Sequence, residues 1–352
     1  MKILVIGPSE TESRGGMAEV ARGIRESGFL NREFDIDLFP SYIDGSLPAR
    51  LLYSVYGYLR FLRCYQTYDL FHLNTAEKGS TFRKYFYLRK IKKAGKKAII
   101  HIHGASYLAF YDGLGSTGKR IVEGFFHQAD LVLALSESWR RELENRFRIN
   151  TCRTLNNGVD LSEYKAAVVD VLKYQNSFLM LGRLGERKGV YDLINAVEIA
   201  RRQNPGLHVI LAGDGEIEKV RDLVAQKGLE GQISVLGWIG QAEKMECLKK
   251  VSTLVLPSYY EGFPMSILEG MASGKAILST TAGAIPEMVT KENGILVTPG
   301  DVAALAEGLL SLSSNMELLK KMSENNRERA EKVFGIRHMH ERLAGYYRQV
   351  AE

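Results

Sequence analysis

Short apolar runs recur along the chain, each closed by glycine or a polar turn and followed by a longer stretch with helical spacing of its apolar positions. The first is Lys2-Ile-Leu-Val-Ile-Gly7, with others near Phe34–Leu38, Leu70–Leu73, Ala98–His101 and Leu131–Leu135. A second series starts at Ser177-Phe-Leu-Met-Leu181. It continues through Leu207–Ala212, Ile233–Leu236, Leu254–Leu256, Ala276–Ser279 and Asn293–Val297. Continuous apolar strands alternating with helices predict parallel sheets covered on both faces. Three helical segments follow, Val302–Leu312, Met316–Val333 and Arg337–Ala351. The interval 161–174 reads as a linker. The expected fold class is therefore α/β, with two Rossmann-like doubly wound domains, 1–165 and 166–335, and a final helix over 336–352.

The length of 352 residues suits two such domains, and 45% hydrophobic with 25% charged residues describes an ordinary globular chain. No run approaches the length of a membrane span, and the N-terminus reads as a strand and not a signal peptide. Cys64, Cys152 and Cys247 stand singly without metal or disulfide spacing, so a reducing cytoplasm is expected. The net charge of +6 is uneven. Residues 1–160 hold 24 Lys+Arg against 17 Asp+Glu, whereas the remainder holds 23 against 24. Within Lys78–Lys97 there are nine basic residues and no acidic one. That stretch suggests an anionic partner, membrane phospholipid or nucleic acid, with a solvated basic helix as the plain alternative. Nucleic acid is disfavoured because no recognition module accompanies the charge. Just before it, Leu51, Val55, Tyr58, Leu59, Leu62 and Tyr65 share one helical face, and Tyr53, Tyr56, Arg60 and Arg63 share the other. The Tyr/Arg face is read as the exposed, interfacial one, or as packing against a neighbouring helix.

Candidate chemistry collects at the carboxyl ends of the strands, where open parallel sheets bind ligands. After the first strand, the loop from Pro8 delivers Gly15-Gly16 at a helix start, which permits close approach to a phosphate. The dinucleotide fingerprint G-x-G-x-x-G is absent. His101 and His103 share a side of the fourth strand, but only His103 reaches its end, and without a third ligand nearby zinc is not expected. Gly182-Arg183-Leu-Gly-Glu-Arg-Lys188-Gly189 places two cations at a strand end, a fork and a point charge suited to a diphosphate. Glu261-Gly-Phe263-Pro264-Met265-Ser266-Ile-Leu268-Glu269 then sets two carboxylates across a strand-to-helix junction. The N–H groups of Met265 and Ser266 at that helix start suit a phosphate or sugar hydroxyls.

Gly-Arg-x4-Lys-Gly, Glu-Gly-Phe-Pro and Glu-Gly-Met-Ala-Ser-Gly closely resemble the signatures of the large retaining nucleotide-sugar glycosyltransferase family with the GT-B fold, family 4. The resemblance covers most of the chain and is strongest after residue 166. It implies two domains facing a cleft, with the final helix crossing back to the first. It also implies retaining transfer of a hexose from a nucleoside-diphosphate sugar, UDP before GDP, to a saccharide hydroxyl. His103, Arg183, Lys188 and Glu261 are then the catalytic candidates. Gly15, Gly16, Gly182, Trp238, Ile239, Phe263, Met265, Ser266, Leu268 and Glu269 are the donor-binding candidates. Trp238-Ile239 would seat the base and Glu269 the ribose. With Arg183 and Lys188 carrying the charge of the leaving diphosphate, no metal or other cofactor is expected. Ala284 stands where the family more often has glycine. A lipid-linked acceptor at an anionic membrane surface is expected, with the protein peripheral at its inner face. An epimerase on the same fold, a non-catalytic nucleotide-sugar binder and a double-displacement mechanism are the competing readings.

Overall fold

In the computed structural model, which describes residues 1–9 and 15–352, the apolar runs form two parallel six-stranded sheets with helices on both faces. The first holds β1 (Lys2–Pro8), β2 (Asp35–Tyr42), β3 (Leu70–Thr75), β4 (Lys97–Ile102), β5 (Leu131–Ala134) and β6 (Cys152–Thr154), in the order β2-β1-β3-β4-β5-β6. The second holds β7 (Ser177–Leu181), β8 (His208–Ala212), β9 (Ile233–Gly237), β10 (Thr253–Leu256), β11 (Ala276–Thr280) and β12 (Gly294–Val297), in the order β12-β11-β10-β7-β8-β9. Every residue of β3, β5, β10 and β11 is buried, as expected of strands covered on both faces. β2 runs past its apolar stretch through Pro40 to Tyr42, which an edge strand tolerates because the missing N–H breaks no second ladder. β6, the opposite edge, has no apolar run to announce it.

Two compact units result, Met1–Gly158 with Arg337–Glu352, and Val159–Ile336. Residues 159–165, placed by the sequence with the first domain, pack with the second unit. Val159 N–H donates to Phe334 O, Tyr164 OH to Glu269 Oε1, and buried Lys275 Nζ to Ala167 O. Within the first unit the C-terminal helix, Ile336–Ala351, is held by several polar contacts, with Arg342 and Tyr346 both donating to Thr154 O. Tyr347 meets His72 Nδ1 at 2.7 Å, His340 Nδ1 meets Ser27 Oγ at 2.8 Å, and Arg348 forks onto both oxygens of Glu33.

The helix Leu47–Cys64 leaves Tyr56, Arg60 and Arg63 exposed, as the sequence suggested, but it exposes its leucines as well. It packs through Gly57 and Phe61, and Phe61 lies among Tyr58, Tyr65, Phe71 and Tyr87. The side with Leu51, Val55, Leu59 and Leu62 is exposed. Aromatic rings offer more area for burial than leucines, and Gly57 eases the approach of Tyr87: a Cβ there would lie 3.3 Å from its hydroxyl. The basic stretch is likewise not one solvated face. Lys84 is buried, Lys92 pairs with Asp130 at 2.6 Å, Lys96 donates to carbonyls of Gln66 and Tyr68, and Lys90 sits over the Tyr65 ring.

The first core also encloses imidazoles. His72 Nε2 lies 3.3 Å from His101 Nδ1, and the His101 and His103 rings, tilted at 45° to each other, have centroids 4.1 Å apart. Burial pushes His72 down to about 3 and His101 well below the ordinary imidazole range. A folded pKa below the unfolded value of about 6.5 means that this stability is complete above that pH and is lost as pH falls toward the folded values. Lowering pH from 7 to 5.5 is expected to cost about 2–4 kcal/mol in urea denaturation, with unfolding taking up about two protons. A flat profile across that interval would contradict the burial of neutral histidines.

Candidate active site

β7 is the strand at which the second sheet changes direction, since it pairs with β8 on one side and β10 on the other. The loops leaving β7 and β10 therefore diverge, and the crevice at their carboxyl ends is the ligand position of such a sheet. Arg183 and Lys188 follow β7, and Glu261 follows β10. Lys188 Nζ lies 2.5 Å from Glu261 Oε1, with side-chain exposures of 13% and 6%. Ser258 Oγ donates to the same oxygen at 2.6 Å. Arg183 points outward, 70% exposed, with Asp214 at 3.7 Å.

The two loops are clamped by backbone. Tyr259 N–H donates to Arg187 O at 2.9 Å, and Arg187 Nη1 to Tyr260 O at 3.0 Å. Gly189 has φ 72°, and a Cβ there would lie 2.0 Å from Pro257 O, so only glycine fits. On the other side Gly283, φ 53°, leaves space for Glu261 O, which an added Cβ would meet at 1.8 Å. Ala284 next to it has an ordinary φ of −85°, so the alanine there disturbs nothing. The left-handed position is Gly283.

The helix Met265–Ala272 starts directly after this loop, with Pro264 as its N-cap. Met265 and Ser266 are half-buried, and their N–H groups belong to the turn that lacks intrahelical acceptors. Glu269, one turn on, is buried; its Oε1 accepts from Lys244 Nζ at 2.6 Å and Tyr164 OH at 2.9 Å. Leu268 is wholly enclosed in the core, and Phe263 packs edge-on against Phe334. Gly182 follows β7 directly, while Trp238, just past β9, is 54% exposed and Ile239 half-buried.

In the first unit His103 follows β4, its N–H donating to Thr75 O and its Nε2 lying 2.9 Å from Asn74 Oδ1 at the end of β3. Burial, then His72 and Lys84, hold its pKa below the ordinary range. Gly15 caps the helix Gly16–Glu26 with φ 116°, a backbone conformation that suits glycine. The rest of the loop expected to deliver it, residues 10–14, lies outside the described residues.

One family model, described as Glycosyl transferases group 1, matches residues 167–329, and another, Glycosyltransferase Family 4, matches residues 20–163. The chain belongs to the family 4 glycosyltransferases with the GT-B fold. A glycosyltransferase of Methanocaldococcus jannaschii is 29% identical over 70% of this chain and 68% of its own length. The amylovoran biosynthesis glycosyltransferase AmsK of Erwinia amylovora is 27% identical over 70% of this chain, which spans only 61% of AmsK. Among solved structures, HepE of Anabaena in complex with UDP-glucose superposes with a TM-score of 0.78 at 21% identity, covering 99% of this chain and all of HepE.

Several residues that shape this glycosyltransferase site were not chosen from sequence. Ser258, three positions before Glu261, is an isolated serine in an apolar context, and Asn74 shares a strand face with His72; both polarities were readable signals. Lys244 and Tyr164 had none, because only the fold brings them to Glu269. Removing Lys188 leaves Glu261 enclosed without its counter-charge, so Lys188→Ala is expected to cost about 3 kcal/mol of stability. The double variant Lys188→Ala/Glu261→Ala should cost less than the two single losses added. Urea denaturation of the four proteins measures this, and strict additivity would show that the pair is not coupled.

Proposed function

We propose that the chain transfers a hexose from a nucleoside-diphosphate sugar, UDP-linked in preference to GDP-linked, to a hydroxyl of a lipid-linked saccharide during polysaccharide assembly. The observation that carries this reading is the clamped, nearly enclosed Lys188–Glu261 pair at the switch point of the second sheet. Family membership and the amylovoran relative support the reaction class, and the UDP-glucose complex of HepE supports the nucleotide.

In this reading Arg183 and Lys188 meet the diphosphate, and their charge offsets the negative charge that grows as the bond from the anomeric carbon to the phosphate oxygen breaks. No divalent metal is needed for that step. The acceptor hydroxyl attacks on the face the diphosphate leaves, and its proton passes to a departing phosphate oxygen, so the configuration is retained. Glu261, oriented by Lys188 and Ser258, holds sugar hydroxyls together with the N–H groups of Met265 and Ser266. Glu269 accepts from the ribose, and Trp238-Ile239 flanks the base. His103, given contact with the donor sugar by the family resemblance, keeps that role in the proposal, and Gly15-Gly16 face a phosphate. Among the described residues no positioned acid–base carboxylate pair favours the epimerase alternative.

Purified protein mixed separately with UDP- and GDP-sugars should release nucleoside diphosphate from its own donor, in excess chelator as well as without it. Failure with every donor would end the reading, and rescue only by a divalent ion would end its metal-free part. Arg183→Ala is expected to lower turnover about 10- to 150-fold. Calorimetry separates the carboxylates: Glu269→Ala should weaken free nucleoside diphosphate, whereas Glu261→Ala should spare it and damage transfer. Equal losses of diphosphate affinity would refute that division.

A further inference from the structure

The helix Leu47–Cys64 turns Leu47, Leu51, Leu52, Val55, Leu59 and Leu62 to solvent, with Leu52 73% and Val55 63% exposed. At 100° per residue these positions fill an arc of about 140° in which the only other exposed residue is Pro48. No exposed polar side chain interrupts it, and Tyr58, which falls within the arc, is half-buried against Phe61 and Tyr87. Beside the arc lie Arg63, Tyr56 and Arg60, all exposed. Isolated surface leucines are ordinary, but a continuous apolar face along a whole helix marks an interaction surface.

The charge around this face selects the partner. No carboxylate occurs between Asp44 and Asp69, so the helix carries only cations. The helix Gly79–Lys93, which packs on it through Tyr87 against Phe61 and Tyr58, is also free of carboxylates. Its exposed residues Phe86, Arg89 and Lys93 stand at successive turns of one side. A second copy would set cation against cation, whereas an anionic lipid surface complements the rim and accepts the leucines.

We propose that this leucine face is the membrane-binding element, lying in the plane of an anionic bilayer with its apolar arc among the acyl chains and its arginines at the headgroups. The inference rests on the lipid-linked acceptor reading above and moves the contact from the lysine-rich stretch and the Tyr/Arg face to the leucine face. Insertion differs in its salt response from surface attraction, because screening weakens charges and leaves apolar burial in place.

Full-length protein is floated with vesicles of phosphatidylcholine containing about 30% phosphatidylglycerol, at low salt and at about 1 M salt. Wild type should rise at low salt and partly persist at high salt. Leu51→Glu/Val55→Glu/Leu59→Glu should reduce vesicle binding at least about 30-fold while its thermal midpoint and donor hydrolysis stay at wild-type values. Leu51→Ser/Leu59→Ser, a milder change, should fall between them. Flotation of the triple variant like wild type, wild type that never floats, or wild type released wholly by salt each overturns the proposal. So does a dimer that the triple variant dissociates, which would assign the face to a second copy. If wild type floats as described but consumes no nucleotide sugar, the catalytic reading fails and the insertion stands. If it consumes donor without floating, the reverse holds.

Discussion

The close approach of two backbones at the carboxyl edge of the second sheet is the constraint from which the site follows. Gly189 lies where any side chain would strike Pro257 O, and Gly283 where any side chain would strike Glu261 O. Loops fixed this tightly leave little freedom to Lys188 and Glu261, whose charges then meet in a nearly enclosed space. A buried ion pair is a weak source of net stability, because desolvation offsets most of the attraction. Its value lies in orientation. With Ser258 on the same carboxylate oxygen, the pair holds two charged groups in fixed positions.

Glu269 shows the same economy of arrangement with different partners. Its carboxylate is enclosed and met by Lys244 and Tyr164, from a helix and a segment far away in sequence. Tyr164 belongs to residues 159–165, so the contact also explains why that segment packs with the second unit. The first unit is built otherwise. Its core is rich in aromatic rings, with the imidazoles of His72 and His101 buried beside it, and Asn74 and His103 at the carboxyl ends of β3 and β4 are linked by a hydrogen bond.

Most strands were legible because they are continuous apolar runs ending in a turn residue, and Arg183, Lys188, Glu261 and Glu269 stood out as candidates because they sit in dense local motifs. What escaped was whatever needed comparison between distant segments. The Leu47–Cys64 helix has two apolar faces, one of rings and one of leucines, and periodicity alone cannot say which meets the core; the rings of Phe39, Phe71 and Tyr87 decide it. The nine cations of Lys78–Lys97 read as one patch, yet Asp130 and the carbonyls of Gln66 and Tyr68 take two of them from other parts of the chain. β6 is too short and polar to announce itself and exists because Val132, Leu133 and Ala134 offer it an edge.

Tyr347 completes the hydrogen bonding of His72 from 275 residues further along the chain. The first unit is therefore discontinuous, whereas the second is one unbroken stretch. A ribosome delivers every residue of the second unit before it delivers the helix that closes the first. The half made earlier must wait, with the surface beneath Tyr347, His340 and Arg348 uncovered, while the half made later can already fold. Emergence of the helix Ile336–Ala351, and not of the first 158 residues, sets the moment at which the N-terminal core becomes whole.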